Sequence, residues 1–221
     1  MWSYYGSKSK IINCYPPPKH DMIIEPFAGS ARYSLKYWNN VVILVEKYDL
    51  IVKLWKWLQQ AQKEDILKLP KMQKGDCVDD YNFDCQEAKW LMGFLINQGS
   101  AMPKKTVSKT GNFGVSEREI LRISNDVEKI RKWDIFCADY RQIPNCEATW
   151  FIDPPYQFGG QYYRLGNKNI NYKELAEWCM SRKGQVIVCE NTKATWMDFK
   201  PLKEMQGSIH RTTEAIWYKN N

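Results

Sequence analysis

Residues 41–45, Val-Val-Ile-Leu-Val, form an unbroken apolar run in which all but Leu44 are β-branched. A strand without polar alternation is buried on both faces, and such strands belong to parallel sheets covered by helices. Residues 22–24, 135–138, 149–152 and 186–189 are further short apolar runs. Residues 31–38, 50–61 and 172–180 read as helices between them, the last capped by Asn171. This alternation predicts an α/β fold, Rossmann-like, with a mainly parallel sheet. Residues 215–218 read as a closing strand, in an antiparallel hairpin with the segment 207–210.

The chain has 221 residues, 44% of them hydrophobic, which suffices for one core with a small appended lobe. Residues 63–132 break the alternation, with more charge and few β-branched runs. Helices are expected there at 85–96 and 116–131, the second with Ser116 as cap and Glu119 at its third position. The resulting division is a first catalytic part at 1–62, an inserted helical lobe at 63–132, and a second catalytic part at 133–221.

A net charge of +7 favours an anionic partner, and ten Trp with thirteen Tyr supply flat faces of the kind that stack on bases. The seven cysteines are odd in number and lack CxxC spacing, so they read as reduced thiols of a cytoplasmic protein. The two histidines, His20 and His210, have no partner at ligand spacing, so no metal is expected. No apolar run has membrane-spanning length.

Acids follow the apolar runs at Glu25, Glu46, Asp139 and Asp153. In open parallel sheets ligands bind beyond the carboxyl ends of the strands, so these acids mark a candidate crevice. The last begins Asp153-Pro154-Pro155-Tyr156. A given tetrapeptide arises by chance in about one chain in a thousand of this length. Proline fixes φ, lacks an N–H, and pushes the residue before it to extended geometry. Asp153 therefore sits on a stiff segment beside a carbonyl without competing donors. A carboxylate next to such a carbonyl suits an NH2 group, which has two hydrogens to donate. Tyr156 adds a flat face for a stacked base. The plain alternative is a strand-ending turn.

Asp153-Pro154-Pro155-Tyr156 after an apolar strand resembles the catalytic motif of amino-group DNA methyltransferases. Glu25-Pro26-Phe27-Ala28-Gly29-Ser30-Ala31 resembles that family's cofactor motif, with Ala31 where Gly is common. Tyr4-Tyr5-Gly6-Ser7-Lys8 is similar to its aromatic-x-Gly-Gly-Lys segment, and Thr213-Glu214-Ala215-Ile216-Trp217 to its closing strand. The motif order is that of the Dam and phage T4 adenine methylases. The resemblance implies a methyltransferase fold that uses S-adenosylmethionine, leaves S-adenosylhomocysteine, and methylates adenine N6 in DNA with base flipping. RNA is the alternative substrate, and a non-catalytic nucleic-acid-binding relative the alternative class. Under this resemblance residues 27–30 wrap the cofactor, with Glu25 and Pro26 in the same block. Glu46 takes the ribose, and Asp139 and Tyr140 meet the cofactor's adenine. Tyr4, Tyr5, Gly6 and Lys8 close over the site, with plain solvation as the alternative for Lys8. Asp153, Pro154, Pro155 and Tyr156 carry the catalysis, Asp153 also facing the cofactor.

The expected DNA-contacting elements are the loop with Lys104, Lys105 and Lys109, then Arg118 and Arg122 one helical turn apart, and Tyr162, Tyr163 and Arg164 after the catalytic motif. For the lysine loop, an exposed flexible segment is the alternative. The recognition sequence, a partner nuclease and the choice between monomer and weak dimer are not legible in the chain.

Overall fold

The computed structural model describes residues 1–111, 113–206 and 211–220. In chain order the elements are β1 (Met22–Glu25), α1 (Arg32–Lys36), β2 (Val41–Glu46), α2 (Asp49–Gln60), α3 (Lys63–Leu67), α4 (Gln86–Leu95), α5 (Glu117–Asp126), β3 (Asp134–Cys137), β4 (Ala148–Ile152), α6 (Tyr172–Ser181), β5 (Gly184–Asn191), β6 (Lys200–Gln206) and β7 (Arg211–Asn220), with short 3-10 turns between. The strands form one sheet in the order β3-β2-β1-β4-β5-β7-β6. The first five are parallel, and β7 runs antiparallel to both β5 and β6. The fold is thus mixed α/β with a mostly parallel sheet and a C-terminal antiparallel hairpin, compatible with a Rossmann-like architecture.

Pairing runs outward from β1 through β2 to β3 on one side and from β4 to β5 on the other. The order reverses between β1 and β4, where a doubly wound sheet opens a crevice. Alternate strand residues serve opposite faces. Ile23, Val42, Leu44, Phe151 and Ile187 join one buried cluster with α2, α4 and α5. Ile24, Trp150, Ile152, Val186 and Val188 join a second with Leu175 and Cys179 of α6.

The segment expected as an inserted lobe shares the first of these clusters with the sheet. Phe94 of α4 packs on Trp2, with ring centroids 6.2 Å apart, and on Tyr4, at 5.7 Å. Ser116 caps α5 by accepting from Glu119 N, and Asn171 caps α6 by accepting from Glu174 N. The hairpin partner expected at 207–210 lies outside the described residues. The strand paired with β7 is β6, whose sequence Lys-Pro-Leu-Lys-Glu-Met-Gln suits a sheet edge, where Pro is tolerated. No helix of the described residues is long and apolar enough to cross a membrane.

Candidate functional site

The turn after β1 is fixed by main-chain bonds, Ala28 N donating to Val45 O at 3.1 Å and Ala31 N to Ala28 O at 2.7 Å. Gly29 has φ +45° and Ala31 φ +44°. The second is a left-handed residue that keeps its Cβ, at a strain of roughly 1–2 kcal/mol. Gly29 N donates to Glu46 Oε2 at 3.1 Å, and Tyr48 N to Glu46 Oε1 at 3.0 Å. The turn following β2 is thereby tied to the turn following β1 through one carboxylate. Burial raises the Glu46 carboxyl above its ordinary pKa.

These turns, the N-terminal segment and the loop after β4 enclose a crevice at the carboxyl edge of the sheet. Its empty space is about 1080 Å³ including the open mouth. Of the residues expected to hold a cofactor, Tyr4, Tyr5, Gly6, Lys8, Pro26, Phe27, Ala28, Gly29, Ser30, Glu46, Asp139, Tyr140 and Asp153 all line it. Phe27 and Tyr140 face each other with centroids 5.4 Å apart. Asp139 accepts from Lys47 Nζ at 2.9 Å and Arg141 N at 3.1 Å. Its carboxyl is held below the usual range: burial opposes this, but the bonds to Lys47 and Arg141 outweigh it.

Glu25 is a correction. Its partner on β2 is Leu44, two residues short of Glu46, so it stands one pleat repeat beneath the crevice rim. Its Oε1 accepts from Ser34 N at 2.8 Å, and burial pushes the carboxyl up to about 8. It anchors α1 rather than lining the crevice.

Asp153 emerges from the end of β4. Lys8 Nζ donates to both of its oxygens at 2.7 Å and to Gly6 O at 2.9 Å. Lys8 is 5% exposed, which removes plain solvation as its explanation. Burial pushes the Asp153 carboxyl up to about 6, opposed by Lys8 and reinforced by Glu214, which leaves it ionised at neutral pH. Burial disfavours the Lys8 cation, but Asp153 and Glu214 outweigh that and raise its pKa.

Beyond Asp153, Tyr172 Oη donates to Pro155 O at 2.7 Å, and Gly160 N to Tyr156 O at 3.0 Å. Among the described residues nothing donates to Pro154 O, although Pro154 is buried. Tyr156 sits just behind the crevice wall. Its hydroxyl donates to Glu214 Oε1, and Lys8 Nζ lies 4.8 Å from its ring centroid. The ring face expected to take a base therefore carries an ammonium.

Tyr163, expected among the nucleic-acid contacts, lines the crevice, packed edge-on to Tyr5 with centroids 5.0 Å apart. Its hydroxyl lies where a Cβ on residue 6 would stand, so Gly6, at φ +73°, is required twice over. Tyr5 Oη donates to Gly159 O at 3.2 Å, stapling the loop after β4 to the N-terminal segment. Arg164 also lines the crevice, while Tyr162 is 66% exposed.

The lysine loop is held by its backbone, which the flexible alternative did not anticipate. Val78 N donates to Lys105 O at 2.7 Å, Val107 N to Asp76 O at 2.9 Å, and Val107 is buried. Lys104, Lys105 and Lys109 remain exposed, and Lys105 pairs with Asp79 at 3.2 Å. Tyr5 N donates to Ser100 O at 3.2 Å, which joins this loop region to the crevice rim. Arg118 and Arg122 are both exposed, and Arg122 donates to Met1 O at 3.0 Å and so braces the N-terminal segment.

Tyr48, Arg141, Asn169, Ile170 and Glu214 escaped the sequence reading. Tyr48 and Arg141 each stand two residues past a strand-end acid, a spacing that marks them in retrospect. Among the described residues no group of three or more His, Cys, Asp or Glu is arranged to hold a metal ion. No protein-family model matches the chain, and no curated protein matches its sequence.

Proposed function

We propose that the protein transfers a methyl group from S-adenosylmethionine to the N6 amino group of adenine in DNA, with the adenine turned out of the base stack. The observation that carries this reading is Asp153 at the end of β4, in one crevice with the 26–30 turn and Glu46, beside the undonated carbonyl of Pro154. The residues present suit the cofactor. Glu46 keeps lone pairs for ribose hydroxyls beyond the main-chain groups it accepts. Phe27 and Tyr140 give the crevice an aromatic lining suited to an adenine ring, and the buried Tyr140 hydroxyl has no partner among the described residues. Bound there, S-adenosylmethionine would supply the methyl group from its cationic sulfur, the S–C bond breaking as the N–C bond forms and S-adenosylhomocysteine leaving with the electron pair.

Adenine N6 is a poor nucleophile because its lone pair is conjugated into the ring. Asp153 and Pro154 O accept its two hydrogens, localise the lone pair, and steady the positive charge that grows on nitrogen as the N–C bond forms. Asp153, ionised at neutral pH, is also placed to take the departing proton. Lys8 holds the carboxylate in place until the amino group arrives.

Labelled methyl transfer to unmodified DNA, followed by nucleoside analysis, is expected to give N6-methyladenine, with parallel DNA and RNA oligonucleotides defining the substrate. Asp153→Ala is expected to lose about 100-fold or more of the transfer rate while still binding S-adenosylmethionine. Near wild-type transfer by this variant overturns the reading.

A further inference from the structure

Lys8 has three N–H groups, and all are spent: one on Gly6 O and two on Asp153. That arrangement suits the resting site and opposes the reaction. A target amino group gains positive charge as it is methylated, and an ammonium against the same carboxylate repels it. Lys8 therefore needs another anion to turn to. Glu214 of β7 supplies one, its Oε1 lying 3.9 Å from Lys8 Nζ. Glu214 is 8% exposed, and its Oε1 accepts from both Tyr15 Oη, at 2.6 Å, and Tyr156 Oη. Its Oε2 takes no hydrogen bond among the described residues, so a place for an ammonium hydrogen is left open.

We propose that Glu214 is a positioning residue for the transfer, holding Tyr156 by its hydroxyl and drawing Lys8 away from Asp153 as the target amino group arrives. This rests on the reading of the site as one for adenine N6 methylation. The titratable groups near enough to act on the charge of Asp153 are Lys8 from the N-terminal turn, Glu214 from β7, Glu25 from β1, Cys189 and Glu190 from β5, and Tyr15, Tyr156 and Tyr163. Among these Glu214 is the carboxylate within reach of Lys8 as well.

The test compares Glu214→Gln, Glu214→Asp and Tyr156→Phe by methyl transfer, S-adenosylmethionine binding, melting temperature and the pH profile of kcat/KM. Glu214→Gln is expected to lower kcat about tenfold or more with cofactor binding unchanged. Its acid limb moves to lower pH, because Asp153 loses a negative neighbour and keeps Lys8. Glu214→Asp, which keeps the charge, holds the acid limb near the wild-type position and recovers part of kcat. Tyr156→Phe lowers kcat as well. Wild-type kcat and pH profile in Glu214→Gln overturn the inference, and so do equal losses and equal acid limbs in Glu214→Gln and Glu214→Asp, which mark a packing role. Should Glu214→Gln fail to fold, Tyr156→Phe decides, wild-type kcat there overturning the inference. Absence of methyladenine from wild-type reactions removes the functional reading itself, and this inference with it.

Discussion

Two pairs of carboxyl groups, one on each half of the sheet, are held by different means. On the β1–β2 side, Glu25 and Glu46 are held by main-chain N–H groups of Ser34, Gly29 and Tyr48. On the β4–β7 side, Asp153 and Glu214 are held by the side chains of Lys8, Tyr15 and Tyr156. A main-chain donor cannot leave without unmaking the turn that carries it, whereas a side-chain donor leaves by rotating about its own bonds. The first half is therefore suited to fixing a ligand, and the second to exchanging partners during a reaction.

The largest effect that bears on this contrast is one of stability. Glu25 rises from 4.5 to about 8 in the folded chain, chiefly through burial, so the folded state keeps a proton that the unfolded state releases. Stability from this group is complete below 4.5 and is lost as pH rises through about 8. Glu25→Gln keeps an oxygen for Ser34 N and adds an amide donor for Ser34 Oγ, which has no hydrogen-bond partner among the described residues. The variant is expected to be more stable than wild type at the alkaline end of that window, on the order of a few kcal/mol. The gap should close toward acid pH in melting curves. A variant that melts below wild type throughout would mean that the main-chain bond requires the charge, and the first half would not be the passive frame described above.

How much of this was legible in the sequence follows the same division. The alternation of strands and helices was readable because every parallel strand contains a short apolar run, and the crevice acids Glu46, Asp139 and Asp153 were readable because each follows such a run. Glu25 obeys that rule as well and still lies beneath the rim, because its depth is set by register against Leu44. Register between parallel strands is not written in either strand when both faces are buried. Tyr163 sits in a polar loop that reads as surface, and its burial comes from Tyr4 and Tyr5 at the far end of the chain. Glu214 reads in the sequence only as part of a closing strand, since its partners Tyr15 and Tyr156 are distant in sequence. Side-chain partnerships of long range were the hidden part, and they are concentrated in the half that performs the proposed chemistry.

A smaller effect sharpens the comparison at Glu46. Glu46→Gln keeps the shape of the turn and removes the charge offered to ribose hydroxyls. It is expected to weaken S-adenosylmethionine about tenfold, the size of one charge-assisted hydrogen bond, and to leave kcat at saturating cofactor within about twofold. Titration calorimetry and initial rates check this together. A fall in kcat with affinity intact would place Glu46 among the reacting groups and erase the distinction between the two halves.

The smallest effect carries the contrast out to the basic loop, where the backbone is pinned and side chains differ in what they hold. Lys105 is engaged with Asp79, while Lys104 and Lys109 are exposed with no ion pair among the described residues. A lysine that neutralises a DNA phosphate releases a counterion, and its loss flattens the dependence of log K on log salt by about 1. Lys104→Ala and Lys109→Ala are each expected to flatten the slope by about that amount. Lys105→Ala should do so less, because its charge is already partly compensated by Asp79. Binding isotherms for duplex DNA at graded salt measure the slopes. Equal flattening by all three means that DNA draws Lys105 off its carboxylate, as Lys8 is proposed to be drawn off Asp153. No flattening by any of them removes the loop from the interface and leaves the crevice rim, with Tyr162 and Arg164, as the surface to examine.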